Sequence, residues 1–241
     1  MRSTPVRVAD VVPFSWVDGP GNRYVVFLQG CPFDCIACHN PETIPPHRPD
    51  TRHTDVDEVL EEIRAVEPYL EGVTVSGGEA TGQWRFVREL FRGMIADPQL
   101  ARLSTYVDTN GHALRRVWDQ LVPVTDGFMV DLKALDPVVH HELTGRGNEL
   151  VLDSIRYLHR RGRLAEVRLL LVPGHNDDAD QLARTARWLV DLDPGVRTVV
   201  IGFRRHGVRP EHADLPEATP ELLDTASGVL RDAGLRDVHV V

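Results

Sequence analysis

No cysteine lies outside residues 31–38 of this 241-residue chain; all three sit in QGCPFDCIACHN, residues 29 to 40. A disulfide framework needs paired cysteines spread along the chain, so an odd number packed this tightly excludes one. Long apolar runs are missing as well. No stretch approaches the roughly 18 residues that a spanning helix needs, and the opening MRSTPVRVADVVPFSW has no apolar segment followed by a cleavage site. A cytosolic protein with reduced thiols is therefore expected, with no membrane partner. A basic surplus is also absent: 27 Lys and Arg stand against 36 Asp and Glu, a net charge of −9. That balance argues against a general nucleic-acid binder and fits a solvated acidic surface. Linkers, repeats and low-complexity segments are lacking, and the proline-rich NPETIPPHRPD (40–50) is only as long as a loop. One domain over 1–241 is expected, a normal length for an α/β barrel-like unit, and a monomer.

What is present is an alternation of two periods. After an irregular opening, β-branched or apolar runs at 24–30, 72–78, 103–111, 127–133, 165–174 and 196–203 read as strands. Between and after them, 54–70, 84–95, 113–121, 149–162, 178–192 and 219–234 read as helices. Val56, Val59, Leu60 and Ile63 recur at helical spacing behind a Thr54 cap, and the last helix starts Thr-Pro and ends at Gly234. RDVHVV forms a short terminal strand. Strands alternating with helices imply βαβ units and a parallel sheet, so six strands fit either a partial barrel or an open doubly wound sheet. The polar residues that stand out follow strands: Cys31, Glu79, Asp108 with Asn110, Asp131 with Lys133, and the PGHND loop. In both architectures the rim beyond the strands' C-terminal ends is where sites are built.

The pattern Cys31-x3-Cys35-x2-Cys38 lets three thiolates close on one soft metal centre from a single loop. Three thiolates on a four-iron cluster would leave one iron open to another ligand. Two other readings stay open at this point. Adding His39 gives a nominal Cys3His zinc set, although neighbours 38 and 39 are poorly placed to meet at one tetrahedral ion. Alternatively the three thiols are inert packing.

Together with SGGEA after the second strand, this cysteine motif resembles the radical S-adenosylmethionine (SAM) superfamily. Within it, VDGPGNR (17–23), QGCPFDCIACHN, VSGGEA, DTNG, DLK and VRLLLVPGHND match, in order, the glycyl radical enzyme activating enzymes of the pyruvate formate-lyase activating type. The match spans roughly residues 10 to 205. The resemblance implies a partial (β/α)6 barrel of the radical SAM type. It also implies a [4Fe–4S] cluster on Cys31, Cys35 and Cys38, with SAM chelated to the open iron. Electron transfer then cleaves SAM to a 5′-deoxyadenosyl radical, which abstracts hydrogen from a glycine of a partner glycyl radical enzyme. Flavodoxin or ferredoxin would be the electron donor.

By the same resemblance Gly77, Gly78 and Glu79 receive the amino group of SAM, and Asp108, Asp131 and Lys133 belong to its pocket. Arg168 meets its carboxylate, and a monovalent cation sits near Asp108, Thr109, Met129 and Asp131. No catalytic side chain beyond the cluster and SAM is implied. Two positions depart from the pattern. Ala37 stands where an aromatic residue usually lies near the adenine, and Arg204, expected to bind SAM there, where a histidine usually follows the sixth strand, with His206 two residues on. No cysteine-rich insertion lies between Cys38 and Gly77, so the ferredoxin-like second domain of many activases is not expected. His39 is either a donor beside the cluster or a loop residue, and His175 shapes its loop. The alternative function is the same radical chemistry on a small molecule or another peptide.

Overall fold

The structure is a computed structural model and describes residues 4–241. Six strands run parallel in the order in which they occur: β2 (Arg23–Leu28), β4 (Gly72–Gly77), β5 (Ser104–Thr109), β6 (Gly127–Asp131), β7 (Leu164–Leu171) and β8 (Thr198–Gly202). They form the partial (β/α)6 barrel, and β9 (Val238–Val240) extends it parallel to β8. Helices α1 (Val56–Val66), α2 (Trp84–Ala96), α3 (Arg115–Leu121), α5 (Glu149–Arg160), α6 (Ala179–Leu192) and α7 (Pro220–Asp232) supply the crossovers and the outer layer.

Three elements were not legible in the residue pattern. The opening is not irregular: β1 (Pro5–Ser15) pairs antiparallel with β2 and also with β3 (Arg52–Asp55), covering the sheet edge. A short helix, α4 (Pro137–Thr144), follows β6. The first helix starts one residue later than a Thr54 cap predicts, because Asp55 caps it instead, accepting from the amides of Asp57 and Glu58. It stops at Val66, and Pro68 leads into a single 3-10 turn.

The main core lies between sheet and helices. The outward residues of β2, β4, β5 and β6 meet Phe86, Leu90 and Phe91 of α2 and Trp118 of α3, all nearly inaccessible. Trp118 packs edge-on against Phe128, and its indole N–H donates to Ser154 Oγ at 2.8 Å. A fully buried arginine closes the barrel floor. Arg23 donates to Thr74 Oγ1, Pro20 O, Ser104 Oγ, Val73 O and Ser104 O over 2.7–3.0 Å and lies 4.6 Å above the Tyr106 ring. It has no ion-pair partner among the described residues. Burial lowers its pKa to about 10, so it stays charged at neutral pH and is held by carbonyl dipoles and the ring face. No helix among the described residues is long and apolar enough to cross a membrane.

Candidate active site

Strand alternation aims Ser76, Asp108, Asp131 and Arg168 at the barrel interior, while their neighbours Val75, Val107, Val130 and Val167 pack outward. At the rim the interior opens into a cavity of about 290 Å3. Its walls include Cys31, Cys35 and Cys38, Gly77, Gly78 and Glu79, Asp108, Asp131, Lys133 and Arg168. All the expected cluster and SAM residues are thus brought together except Arg204, and Met129, expected at the cation, also stands outside the lining. The Arg204 side chain is exposed and donates to Ala218 O at 3.4 Å.

The cysteine loop has little secondary structure of its own, so neighbouring backbone holds it. Gly30 and Cys31 donate to the carbonyls of Thr43 and Ile44, and Asp34 and Ile36 donate to those of Thr144 and Leu143 at the end of α4. All three thiols are free and half-buried. Burial pushes each one up, Cys35 to about 11 and Cys31 further, although Lys133 pulls Cys35 and Cys38 back toward thiolate. Cys31 Sγ also accepts from Phe33 N at 3.4 Å and Asn110 Nδ2 at 3.6 Å. Donors aimed at Cys31 Sγ, and a lysine facing Cys35 and Cys38, suit thiolates bound to a metal centre.

Zinc is a poorer fit. His39 is turned away, with Nε2 2.8 Å from the Arg204 carbonyl and its ring stacked on Phe203. Among the described residues no three His, Cys, Asp or Glu side chains converge as a single ion requires. The wider cubane, bound through one thiolate per iron, does not need that convergence.

The turn after β4 needs both its glycines. Gly77 has φ +118°, and a Cβ there would stand 2.0 Å from Leu28 N; at Gly78 it would stand 2.6 Å from the carbonyl oxygens of Gly30 and Thr43. The turn can therefore lie against the cysteine loop. Glu79 is 2% exposed, and its carboxylate is saturated by protein donors. Thr81 N, Thr81 Oγ1 and Thr109 Oγ1 donate to Oε1, and Asn110 N to Oε2. Burial still raises its pKa. What the turn leaves open to a ligand is the backbone of Gly77 and Gly78.

Deeper in, Arg168 donates to Asp108 Oδ1 at 3.1 Å, Glu166 Oε1 at 2.6 Å and Met129 Sδ at 3.0 Å. Burial alone would lower this guanidinium; Asp108 and Glu166 outweigh it and hold the group firmly charged. Burial raises Asp108 against the pull of Arg168 and of the Ser76 hydroxyl, which donates to Oδ2. Lys133 donates to Asp131 Oδ2 at 2.7 Å, and the two aspartates with Cys35 raise it despite its burial. A monovalent cation near Asp108 and Met129 would share both with Arg168, and Thr109 turns its hydroxyl to Glu79.

Sequence reasoning passed over Asp18, which lines the cavity from the loop after β1, although VDGPGNR had flagged that loop. In PGHND it is buried Asn176 that shapes the turn. Its amide donates to Lys133 O and Leu170 O, and its Oδ1 accepts from Val172 N.

The model described as the radical SAM superfamily matches residues 25–189. This chain belongs to the radical SAM superfamily. Radical SAM proteins use a [4Fe–4S] cluster and SAM, and this one is an enzyme of that type. The chain is 36% identical over 202 residues to the pyruvate formate-lyase-activating enzyme of Staphylococcus epidermidis (strain ATCC 12228 / FDA PCI 1200), covering 80% of this chain and 78% of that one. The enzyme of the same name from Staphylococcus aureus (strain USA300) is 35% identical over the same shares. Among solved structures, a domain of pyruvate-formate lyase-activating enzyme from Bacteroides vulgatus ATCC 8482 superposes with a TM-score of 0.57 at 25% identity, covering 70% of this radical SAM chain and 98% of that one. A radical SAM methyltransferase from Sphaerobacter thermophilus, at 19% identity and a TM-score of 0.68 over 91% of this chain and 66% of that one, supports the fold alone.

Proposed function

We propose that this radical SAM enzyme is an activase that takes a hydrogen atom from a glycine of a partner glycyl radical enzyme, with flavodoxin or ferredoxin as electron donor, in the cytoplasm. The observation that carries the proposal is the likeness to pyruvate formate-lyase-activating enzymes over 80% of the chain, together with its ordered motifs lining one cavity. Cys31, Cys35 and Cys38 would hold the cluster, and a single domain would supply the whole site. When bound, the cluster and SAM supply one-electron cleavage of a sulfonium C–S bond, which yields methionine and a carbon radical able to abstract hydrogen.

The protein's own part is binding, orientation and exclusion of water. Asp18, Glu79, Asp108 and Asp131 line the cavity against Lys133 and Arg168, a surplus of carboxylates that favours a cationic ligand such as a sulfonium carrying an ammonium. Backbone at Gly77 and Gly78 would receive the ammonium, and Asp108 and Asp131 the ribose hydroxyls. Lys133 and Arg168 balance the charge of the aspartates, and Arg168 would meet a ligand carboxylate. The same chemistry on a small molecule or another peptide is favoured only by Ala37 and by Arg204 lying outside the cavity.

Electron paramagnetic resonance on the anaerobically reconstituted, reduced protein with SAM and a glycine-loop partner tests the proposal. A glycyl doublet with 5′-deoxyadenosine formed alongside is expected. Deoxyadenosine without a doublet would select the alternative, and full activity in Cys35→Ala would overturn the cluster assignment.

A further inference from the structure

The segment that follows β8 grips the cysteine loop from outside the cavity. Gly207, at φ +80°, lies so close to His39 that a Cβ would stand 2.2 Å from the His39 carbonyl oxygen, and His39 Nε2 contacts the Arg204 carbonyl. Arg209 takes the other side. Its Nη1 donates to Asp34 Oδ1 at 2.7 Å, and its Nη2 to the carbonyls of Asp34 at 3.4 Å and Cys35 at 3.2 Å. The two grips bracket Cys35 and Cys38. Within the ion pair the arginine side chain is 25% exposed and the aspartate 66%, so the cation is the partner withdrawn from water. Its Nε is buried without a hydrogen bond but lies within ion-pair distance of Glu211 Oε1, at 3.7 Å.

We infer that Arg209 is a positioning residue for the cysteine loop whose positive charge makes the cluster easier to reduce. The inference rests on the reading of Cys31, Cys35 and Cys38 as cluster ligands. A half-exposed ion pair contributes little by itself; the donation to the Cys35 carbonyl, on a ligand's own peptide, is what couples this cation to the metal centre. Reduction adds an electron to an assembly already made anionic by thiolates, and a partly buried cation beside it favours the reduced state. Lysine would keep the charge but lacks the planar fork that spans a carboxylate and two carbonyls.

The test is a redox titration of the reconstituted full chain, followed by the resonance signal of the reduced cluster and by iron content. Arg209→Gln should bind wild-type iron yet reduce with an equilibrium constant about tenfold smaller, a midpoint about 59 mV lower. Arg209→Lys should recover most of that shift. Asp34→Asn breaks the same ion pair but removes a negative charge, so its midpoint should move upward. A purely structural ion pair would shift Arg209→Gln and Asp34→Asn in the same direction, and that result, or an unshifted Arg209→Gln with full iron, overturns the inference. If Arg209→Gln binds no iron, Arg209→Lys decides: a midpoint near wild type supports the inference, and one about 59 mV lower with full iron overturns it. A wild-type protein that takes up no cluster would instead bring down the reading beneath it.

Discussion

Replacing Glu79 by glutamine separates two roles that this side chain combines: wall of the cavity and knot between two strand ends. The carboxylate takes three donors on Oε1, at 2.6–2.8 Å, and the Asn110 amide on Oε2 at 2.8 Å. Glutamine keeps the shape but offers a single oxygen. With that oxygen toward Thr81 and Thr109, its NH2 group faces the Asn110 N–H, and a buried donor loses its acceptor at about 1–3 kcal/mol. The other three bonds also lose their charge assistance. Relief from burying a carboxylate, the cause of the raised Glu79 pKa, offsets part of this loss. A net destabilisation of about 2 kcal/mol remains, which for a chain of this size lowers Tm by about 4–8 °C. Thermal unfolding of the metal-free, thiol-reduced protein, followed by circular dichroism at neutral pH, measures it, with Glu79→Ala as the more damaging control. A glutamine variant as stable as wild type would refute the knot and leave Glu79 as cavity wall alone.

The same residue carries a pH signature. Its folded-state pKa lies above 4.5, so its contribution to stability is fully present below about that pH and is lost as pH rises through the folded value. The difference in unfolding free energy between wild type and Glu79→Gln should shrink as pH rises; denaturant titrations that show it widening would contradict this. Arg23→Met strips donors from the carbonyls of Pro20, Val73 and Ser104 at the barrel floor and should destabilise by about 3 kcal/mol, read from the urea midpoint at constant slope. A loss below about 1 kcal/mol would mean that water replaces the guanidinium there. Gly78→Ala places a methyl group against the Gly30 and Thr43 carbonyls. It should lower iron retention after reconstitution severalfold while leaving the far-ultraviolet spectrum unchanged; normal retention would show that the cysteine loop yields freely.

The barrel strands were legible because each is a short β-branched or apolar run closed by glycine or a polar rim residue, and the site followed because those rim residues fall at strand ends. The antiparallel strands β1 and β3 were not legible, for identifiable reasons. PVRVADVVPFS contains two prolines and interrupts its alternation with charge; it is a strand because β2 and β3 both pair with it. RHTD has no apolar residue at all and owes its conformation to that pairing alone. Helix α4 carried every local signal, with Asp136 as cap, Pro137 in the first turn and Gly145 in the left-handed conformation at its end, but its eight residues are too few to establish a period. At the site, Cys31, Asp108 and Asp131 announce themselves by type and place. Arg209 does not, because its partner Asp34 lies 175 residues away and no neighbouring residue hints at the contact.

That separation has a bearing on how the molecule is made. A ribosome adding about 5–20 residues per second delivers the cysteine loop first and Arg209 about ten to thirty-five seconds later. Until then the thiols emerge without the Gly78 turn, the Asn110 amide or the strap after β8, each supplied by later chain. Iron and sulfide offered to the nascent loop would meet three solvated cysteines on an unshaped segment. On the proposed reading of these cysteines as cluster ligands, the shaped rim that would receive the cluster exists only once the segment after β8 has been made.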